Sequence, residues 1–80
     1  MVEKQKNPDA FGIALRIYRQ EKGLTQDQLG ERVGVVRSFI CSLENGNRLP
    51  SMLMILKLAA ALGVRSGDLM NATEDRLAGR

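Results

Sequence analysis

The 80-residue sequence contains no histidine, no tryptophan and a single cysteine, Cys41. One thiol cannot close an intramolecular disulfide, and a chain without histidine cannot supply a Cys/His zinc site. No nucleophile stands beside a base, which argues against an enzyme. Two phenylalanines and one tyrosine are the only aromatic residues. The fold must therefore be held by aliphatic burial within one small domain.

Long apolar runs are also missing. The longest stretches, residues 52–56 and 58–62, are separated by Lys57 and are too short together to span a bilayer. The first eight residues lack the apolar segment that a signal peptide needs. Together with the free thiol, this predicts a cytoplasmic protein.

The charge balance is mildly basic. Twelve Lys and Arg residues against nine Asp and Glu give a net charge of +3. This excess fits an anionic partner such as nucleic acid, but it is too small to establish one. No glycine-rich phosphate loop or metal-ligand cluster is present, so we expect no cofactor, no metal and no small-molecule ligand.

Glycines and capping residues divide the chain into five predicted short helices with no strand. Thr25 and Gln28 form a capping box for the second helix, and Ser51 caps the fourth. The third helix is predicted from about Val36 to Glu44. Four glycines are placed to end the first four helices: Gly23, Gly34, Gly46 and Gly63. The sequence thus predicts an all-α fold, a compact five-helix bundle.

The two ends are predicted to lie outside this bundle. Residues 1–8 are interpreted as a flexible arm, followed by Asp9 as the cap of the first helix. A short fifth helix is expected over residues 66–70. Residues 71–80 hold one large apolar side chain, Leu77, and we expect them to fray or to form one weak turn. The helical domain would then span residues 9–70.

The most informative stretch is residues 24–48, which reads as two short helices joined by a glycine turn, a helix-turn-helix. The second of these helices carries a face whose side chains, Cys41 excepted, are strongly polar: Arg37, Ser38, Cys41, Ser42 and Asn45. A rigid polar helix face has the width and chemistry needed to read base edges in the major groove.

The sequence resembles the phage-repressor (Xre/Cro) type of helix-turn-helix regulators, which have a lambda-repressor-like DNA-binding domain. The resemblance covers about three quarters of the chain, from Phe11 to Met70. It depends on an ordered set of motifs: Phe11-Gly12, Leu15-Arg16, Arg19, Gly23-Leu24-Thr25-Gln26-Asp27-Gln28-Leu29, Val33-Gly34-Val35, Ile40, Leu43-Glu44-Asn45-Gly46, Arg48, Pro50-Ser51, Leu56 and Leu58-Ala59, and Ala61-Leu62-Gly63-Val64. Each motif is common, but their order and spacing are highly specific.

The resemblance implies a role for each matching residue. Base contacts are implied for the start of the third helix and one turn beyond: Val36, Arg37, Ser38, Cys41 and Ser42. Phosphate contacts are implied for Gln26, Asn45 and Arg48. A partly buried ion pair between Arg19 and Glu44 is implied to tie the first helix to the third.

The resemblance also implies a homodimer on a near-palindromic DNA operator, acting as a repressor or autoregulator. The apolar residues assigned to the dimer surface are Val64, Leu69 and Met70, with Leu77 as a further candidate. Three departures from the family pattern stand out. Val36 replaces the usual Ser or Thr cap, although it offers a contact for a thymine methyl group, and Gly30 replaces the usual Ala. Arg65 replaces a usual cap before the fifth helix, where Ser66 is expected to serve as the cap one residue later.

Several alternatives stay open at this point. Arg37 and Arg48 fit either DNA contacts or solvated charges, and Cys41 fits either a small helix-face residue or a redox switch. Acidic residues on the second helix, Asp27 and Glu31, are candidates for contact with RNA polymerase. An antitoxin-like protein-interaction module and a restriction–modification controller protein are the alternative functions.

Overall fold

A computed structural model describes residues 10–79 of the chain. It consists of five helices: α1 (Ala10–Glu21), α2 (Gln26–Val33), α3 (Arg37–Asn45), α4 (Met52–Leu62) and α5 (Ser66–Leu77). The predicted all-α bundle is confirmed over these residues. The predictions for the arm at residues 1–8 and for the Asp9 cap lie outside the part of the chain that the structure describes.

Local capping chemistry sets the helix starts. The Thr25 hydroxyl accepts from the backbone N–H of Gln28 at 3.0 Å, and the Gln28 side chain accepts from the backbone N–H of Thr25 at 2.9 Å. Ser51 caps α4 by accepting from the backbone N–H of Met54 at 3.0 Å. Both predicted caps are therefore confirmed, and each removes orphan amide donors from a helix start.

The core is almost wholly aliphatic, as the shortage of aromatic residues requires. All five helices contribute to one cluster of buried side chains: Phe11, Leu15, Leu29, Ile40, Leu43, Leu58, Ala59, Leu62 and Leu69. No helix between residues 10 and 79 combines the length and apolar character needed to cross a membrane.

Two glycines allow close approach of backbones in the helix-turn-helix region. A Cβ atom on Gly12 would lie 2.5 Å from the carbonyl oxygen of Leu43, and one on Gly30 would lie 2.7 Å from that of Val35. The carbonyl oxygen of Gly30 also accepts from the backbone N–H groups of Gly34 (2.7 Å) and Val35 (2.9 Å). The departure from Ala at position 30 thus accompanies a tight α2–α3 corner.

The fifth helix differs from the sequence prediction. The expectation that residues after 70 would fray or form one weak turn is wrong, because α5 continues to Leu77 and packs against both α1 and α4. Thr73 lies buried, and its hydroxyl donates to the carbonyl oxygen of Leu69 at 2.7 Å. Ser66 does not cap this helix; the carboxylate of Asp68 instead accepts from the backbone N–H of Arg65 at 3.0 Å.

Candidate nucleic-acid interface

Helix α3 is buried on one side and exposed on the other. Ile40 and Leu43 are fully buried in the core. The opposite side carries four of the five residues that the sequence predicts as base contacts, and the fifth, Val36, directly precedes the helix. Arg37 and Ser38 are exposed in its first turn, and Cys41 and Ser42 are half-buried one turn later. The core therefore fixes the helix while its polar face remains open to solvent.

The start of α3 has an unusual cap. Val36 occupies the N-cap position in an extended conformation and makes no side-chain capping bond. Its side chain is 69% exposed, although it is apolar and β-branched. The structure thus confirms the sequence prediction that α3 lacks a side-chain cap. The helix begins at Arg37 rather than at Val36. An apolar methyl surface stands beside the first polar residues of the helix.

A buried carboxylate joins α3 to α1 and α2. The Glu44 side chain is fully buried, and Arg19 binds it through two atoms: Nε to Oε2 at 2.6 Å and Nη2 to Oε1 at 3.0 Å. Gln26 Nε2 donates to Oε1 at 3.1 Å, and Arg16 Nε does so at 3.3 Å. Arg19 also donates from Nη1 to the carbonyl oxygen of Leu24 at 2.8 Å. We call Glu44 and its three donors, Arg16, Arg19 and Gln26, the Glu44 cluster.

The Glu44 cluster keeps this carboxyl group ionised. Burial alone would raise the pKa of Glu44. Hydrogen bonds from Arg19 and Gln26, the positive charge of Arg19 and the hydrogen bond from Arg16 outweigh burial, so the pKa of Glu44 lies below its ordinary value. The charge is thus fully compensated inside the protein, as a buried ion requires.

The three predicted phosphate-binding residues all have intramolecular contacts. The side-chain amide nitrogen of Gln26 donates a hydrogen bond to Glu44. Asn45 accepts from Arg16 Nη2 at 3.5 Å and donates to the sulfur of Cys41 at 3.3 Å. The guanidinium carbon of Arg48 lies 5.1 Å from the centroid of the Phe39 ring. These contacts orient side chains that stay partly or fully exposed.

An open cleft of about 460 Å³ lies beside this face. It contains both cationic and polar groups, and its lining residues come from α1, the α1–α2 turn, α2 and α3: Arg19, Gly23, Leu24, Thr25, Gln26, Asp27 and Arg37. The cleft therefore brings the predicted base reader Arg37 together with the predicted phosphate contact Gln26.

Sequence reasoning missed Arg16 as a member of the Glu44 cluster. Its side chain is 43% exposed and bridges Glu44 and Asn45, the last two residues of α3. The sequence signal available was the i, i+3 spacing of Arg16 and Arg19, which places both cations on one face of α1.

The predicted dimer surface needs correction. Leu69 is fully buried in the core, so it cannot contact a second molecule, and Val64 is half-buried against the same core. Met70 is 40% exposed and lines an apolar groove of about 340 Å³ between α4 and α5. Its other lining residues are Met52, Ile55, Leu56 and Ser66. We call this the α4–α5 groove.

Comparison with known proteins identifies the family to which this five-helix fold belongs. The model of a family described as a helix-turn-helix domain matches residues 10–72. A helix-turn-helix-type transcriptional regulator of Methanothermobacter thermautotrophicus is 49% identical over 49 residues, which cover 61% of this chain and 71% of the relative. The chain belongs to the Xre-type helix-turn-helix family of DNA-binding transcriptional regulators.

Two solved structures show the same fold as this regulator. The restriction–modification controller protein C.AhdI of Aeromonas hydrophila is 42% identical, with a TM-score of 0.73, over 75% of this chain and 91% of C.AhdI. SinR, a master regulator for biofilm formation solved in complex with DNA, is 33% identical, with a TM-score of 0.70, over 75% of this chain and 97% of the SinR chain. The described helices therefore form a fold that one relative uses on DNA.

Proposed function

We propose that this regulator is a cytoplasmic repressor or autoregulator that binds a near-palindromic operator as a homodimer, with α3 in the major groove. The observation that carries the proposal is the two-sided construction of α3. Ile40, Leu43 and Glu44 are fully buried, whereas Arg37 and Ser38 are exposed. A helix held in this way presents fixed polar side chains to base edges.

Base reading is assigned to the outer face of α3. The guanidinium of Arg37 pairs with guanine O6 and N7, a contact worth about 1–3 kcal/mol of discrimination. The exposed methyl groups of Val36 contact a thymine methyl group. Ser38, Cys41 and Ser42 supply weaker and less selective contacts.

Phosphate binding is assigned to residues around this face. Gln26, Asn45 and Arg48 set the register of the protein on the DNA backbone. The Glu44 cluster supports the assignment for Gln26, since one N–H of the Gln26 amide is bound to Glu44 and the second N–H of the same nitrogen can donate to a phosphate oxygen. The SinR structure supports the assignment more generally, because SinR is in complex with DNA.

The dimer is assigned to the α4–α5 groove, with a second copy of the chain as its occupant. Met52 and Leu56 are 76% and 52% exposed, an unusual exposure for large apolar side chains that neighbour one another. Two-fold symmetry would place the two α3 helices roughly 34 Å apart, one helical turn of DNA. One domain alone covers only a few base pairs, so useful affinity requires this pairing.

The test of the proposed function is selection of bound duplexes from a random pool, followed by titration of the selected duplex. We expect a two-fold-symmetric consensus, and Arg37→Ala should relax the preference at one guanine in each half-site. Arg76→Ala, on α5, is the matched control and should keep that preference. Binding that only falls with salt and yields no consensus would contradict the proposal and favour the antitoxin-like alternative.

Dimerisation has its own test, sedimentation of the free protein. Leu56→Glu should shift the protein from dimer to monomer, because an ionised side chain would enter the apolar groove. Ile17→Glu, a substitution at another exposed apolar side chain on α1, should leave the dimer intact. A Leu56→Glu protein that remains dimeric would rule out this groove as the interface.

A narrower candidate is control of restriction–modification genes, favoured by the 42% identity to C.AhdI. It predicts that the selected consensus occurs upstream of genes for a restriction enzyme or its methyltransferase. Contact of Asp27 and Glu31 with RNA polymerase stays a prediction; both side chains are exposed on α2. Run-off transcription with polymerase would distinguish activation from repression at that site.

A further inference from the structure

Arg48 and Phe39 form the one cation–aromatic contact among residues 10–79. Phe39 lies in α3 directly after Arg37 and Ser38, and its half-buried ring packs against the core. Arg48 is exposed in the turn between α3 and α4, where the backbone N–H of Asn47 donates to the carbonyl oxygen of Ser42 at 2.9 Å. The turn is thus held to α3, and the guanidinium lies over the ring.

We propose that Phe39 is a positioning residue that holds Arg48 ready to bind a DNA phosphate; this rests on the proposed phosphate contact of Arg48. An aromatic ring attracts a cation through its negative face and has no lone pair to accept a conventional hydrogen bond, whereas the guanidinium carries five N–H donors. The ring contact therefore fixes the cation without consuming the donors that a phosphate oxygen would accept from.

The surroundings explain why the residue is aromatic. Leu, Ile and Ala supply most of the buried core, so apolar burial by itself does not require an aromatic side chain at position 39. A phenyl ring adds a negative face that attracts a cation. Holding Arg48 before DNA arrives also reduces the rotamer freedom that this long side chain loses on binding.

The experiment compares Phe39→Leu with Phe39→Tyr on the selected operator. Phe39→Leu keeps apolar bulk and removes the ring, and it should weaken binding about two- to fivefold, the effect of one exposed cation–aromatic contact. Phe39→Tyr keeps the ring and should restore wild-type affinity. Urea unfolding of both variants shows whether the fold is retained, and Phe39→Tyr with native stability but the weakened affinity of Phe39→Leu would overturn the proposal.

A double-substitution cycle separates positioning from a structural effect. In an Arg48→Gln background, Phe39→Leu should cause no further loss of affinity, because the cation that it positions is gone. An equal loss in both backgrounds would show that Phe39 acts by shaping α3, and the positioning role would fail.

The salt dependence tests the underlying phosphate contact independently. Arg48→Gln should reduce the slope of log affinity against log salt by about 0.9. An unchanged slope would remove the phosphate role of Arg48 itself. A reduced slope with no coupling to Phe39 would leave that role intact and remove only the positioning by Phe39.

Discussion

The junction of α1, α2 and α3 and the outer surface of α4 and α5 are built in opposite ways. The junction encloses the fully buried carboxylate of Glu44 among donors from three side chains. The α4–α5 surface instead leaves large apolar side chains open, with Met52 at 76% and Leu53 at 60% exposure. One region is closed and ionic, and the other is open and apolar.

The two regions differ in how accurately their contacting groups must be positioned. A buried ion is tolerated only where its donors are correctly placed, so the Glu44 cluster admits one arrangement of the three helices. Within residues 10–79, no buried polar side-chain atom lacks a hydrogen-bond partner. Apolar contact is not directional, and it suits the second copy of the chain that we propose for this surface.

The largest expected effect comes from removing the centre of the ionic region. Glu44→Ala should lower the free energy of unfolding by about 3–5 kcal/mol, because it leaves the charge of the nearly buried Arg19 without its partner. Denaturant unfolding measures the loss. Leu53→Ala, on the apolar surface but outside the α4–α5 groove, should stay within about 0.5 kcal/mol. Similar losses of unfolding free energy in the two variants would show that the buried ionic region stabilises the fold no more than the apolar surface does.

The next effect tests the close contact of α1 with α3. Gly12→Ala should destabilise the protein by about 1–3 kcal/mol, since the added methyl group would meet two backbone carbonyl oxygens that cannot rotate away. Gly67→Ala in α5, where a Cβ meets nothing within 4 Å, is the control and should be neutral or stabilising. Thermal unfolding of the pair measures the difference. A neutral Gly12→Ala would mean that the helices separate easily.

Acid should weaken the ionic region selectively. Because the folded-state pKa of Glu44 is lowered, its stabilisation is fully present above the unfolded-state pKa, about 4.3. It is lost as the pH falls through the lower folded-state value. Unfolding free energies from neutral pH down to about pH 3 should therefore decline less steeply for Glu44→Gln than for the wild type. Parallel curves would show that other carboxyl groups cause the decline.

The smallest expected effect concerns the uncapped start of α3. Val36→Ser should add a side-chain cap and raise the free energy of unfolding by about 1 kcal/mol. Ser51→Ala should remove the cap of α4 and lower it by a similar amount. If Val36 contacts a thymine methyl group, the more stable Val36→Ser protein should also bind its operator less selectively. Gains in both stability and selectivity would refute that base contact.

The sequence was most informative where structure depends on neighbours along the chain. Thr25, Gln28 and Ser51 cap their helices as predicted, since capping needs residues only three positions apart. The Gly46 and Gly63 predictions hold for the same reason, and both residues adopt positive φ angles of 80° and 73°. The family resemblance added the Arg19–Glu44 pairing, which local spacing alone does not indicate.

The sequence was least informative where several helices meet. Leu69 and Met70 are adjacent and similarly apolar, and only the packing direction of α5 decides that the first is buried. Past residue 70, α5 packs against α1 and α4 and buries Thr73, a polar residue that local propensity would leave in solvent. Arg16 reaches Glu44 across 28 positions, so its role appears only after α1 and α3 are packed together.

The tight α2–α3 corner has a consequence for how such a protein changes over evolutionary time. The Gly30 carbonyl accepts two N–H groups, so the corner is set by backbone bonds and owes nothing to the exposed side chains of α3. Residues such as Arg37 and Ser38 are free to be exchanged without moving the helix that carries them. If α3 reads bases as we propose, new operator preferences can arise by single substitutions on an unchanged scaffold.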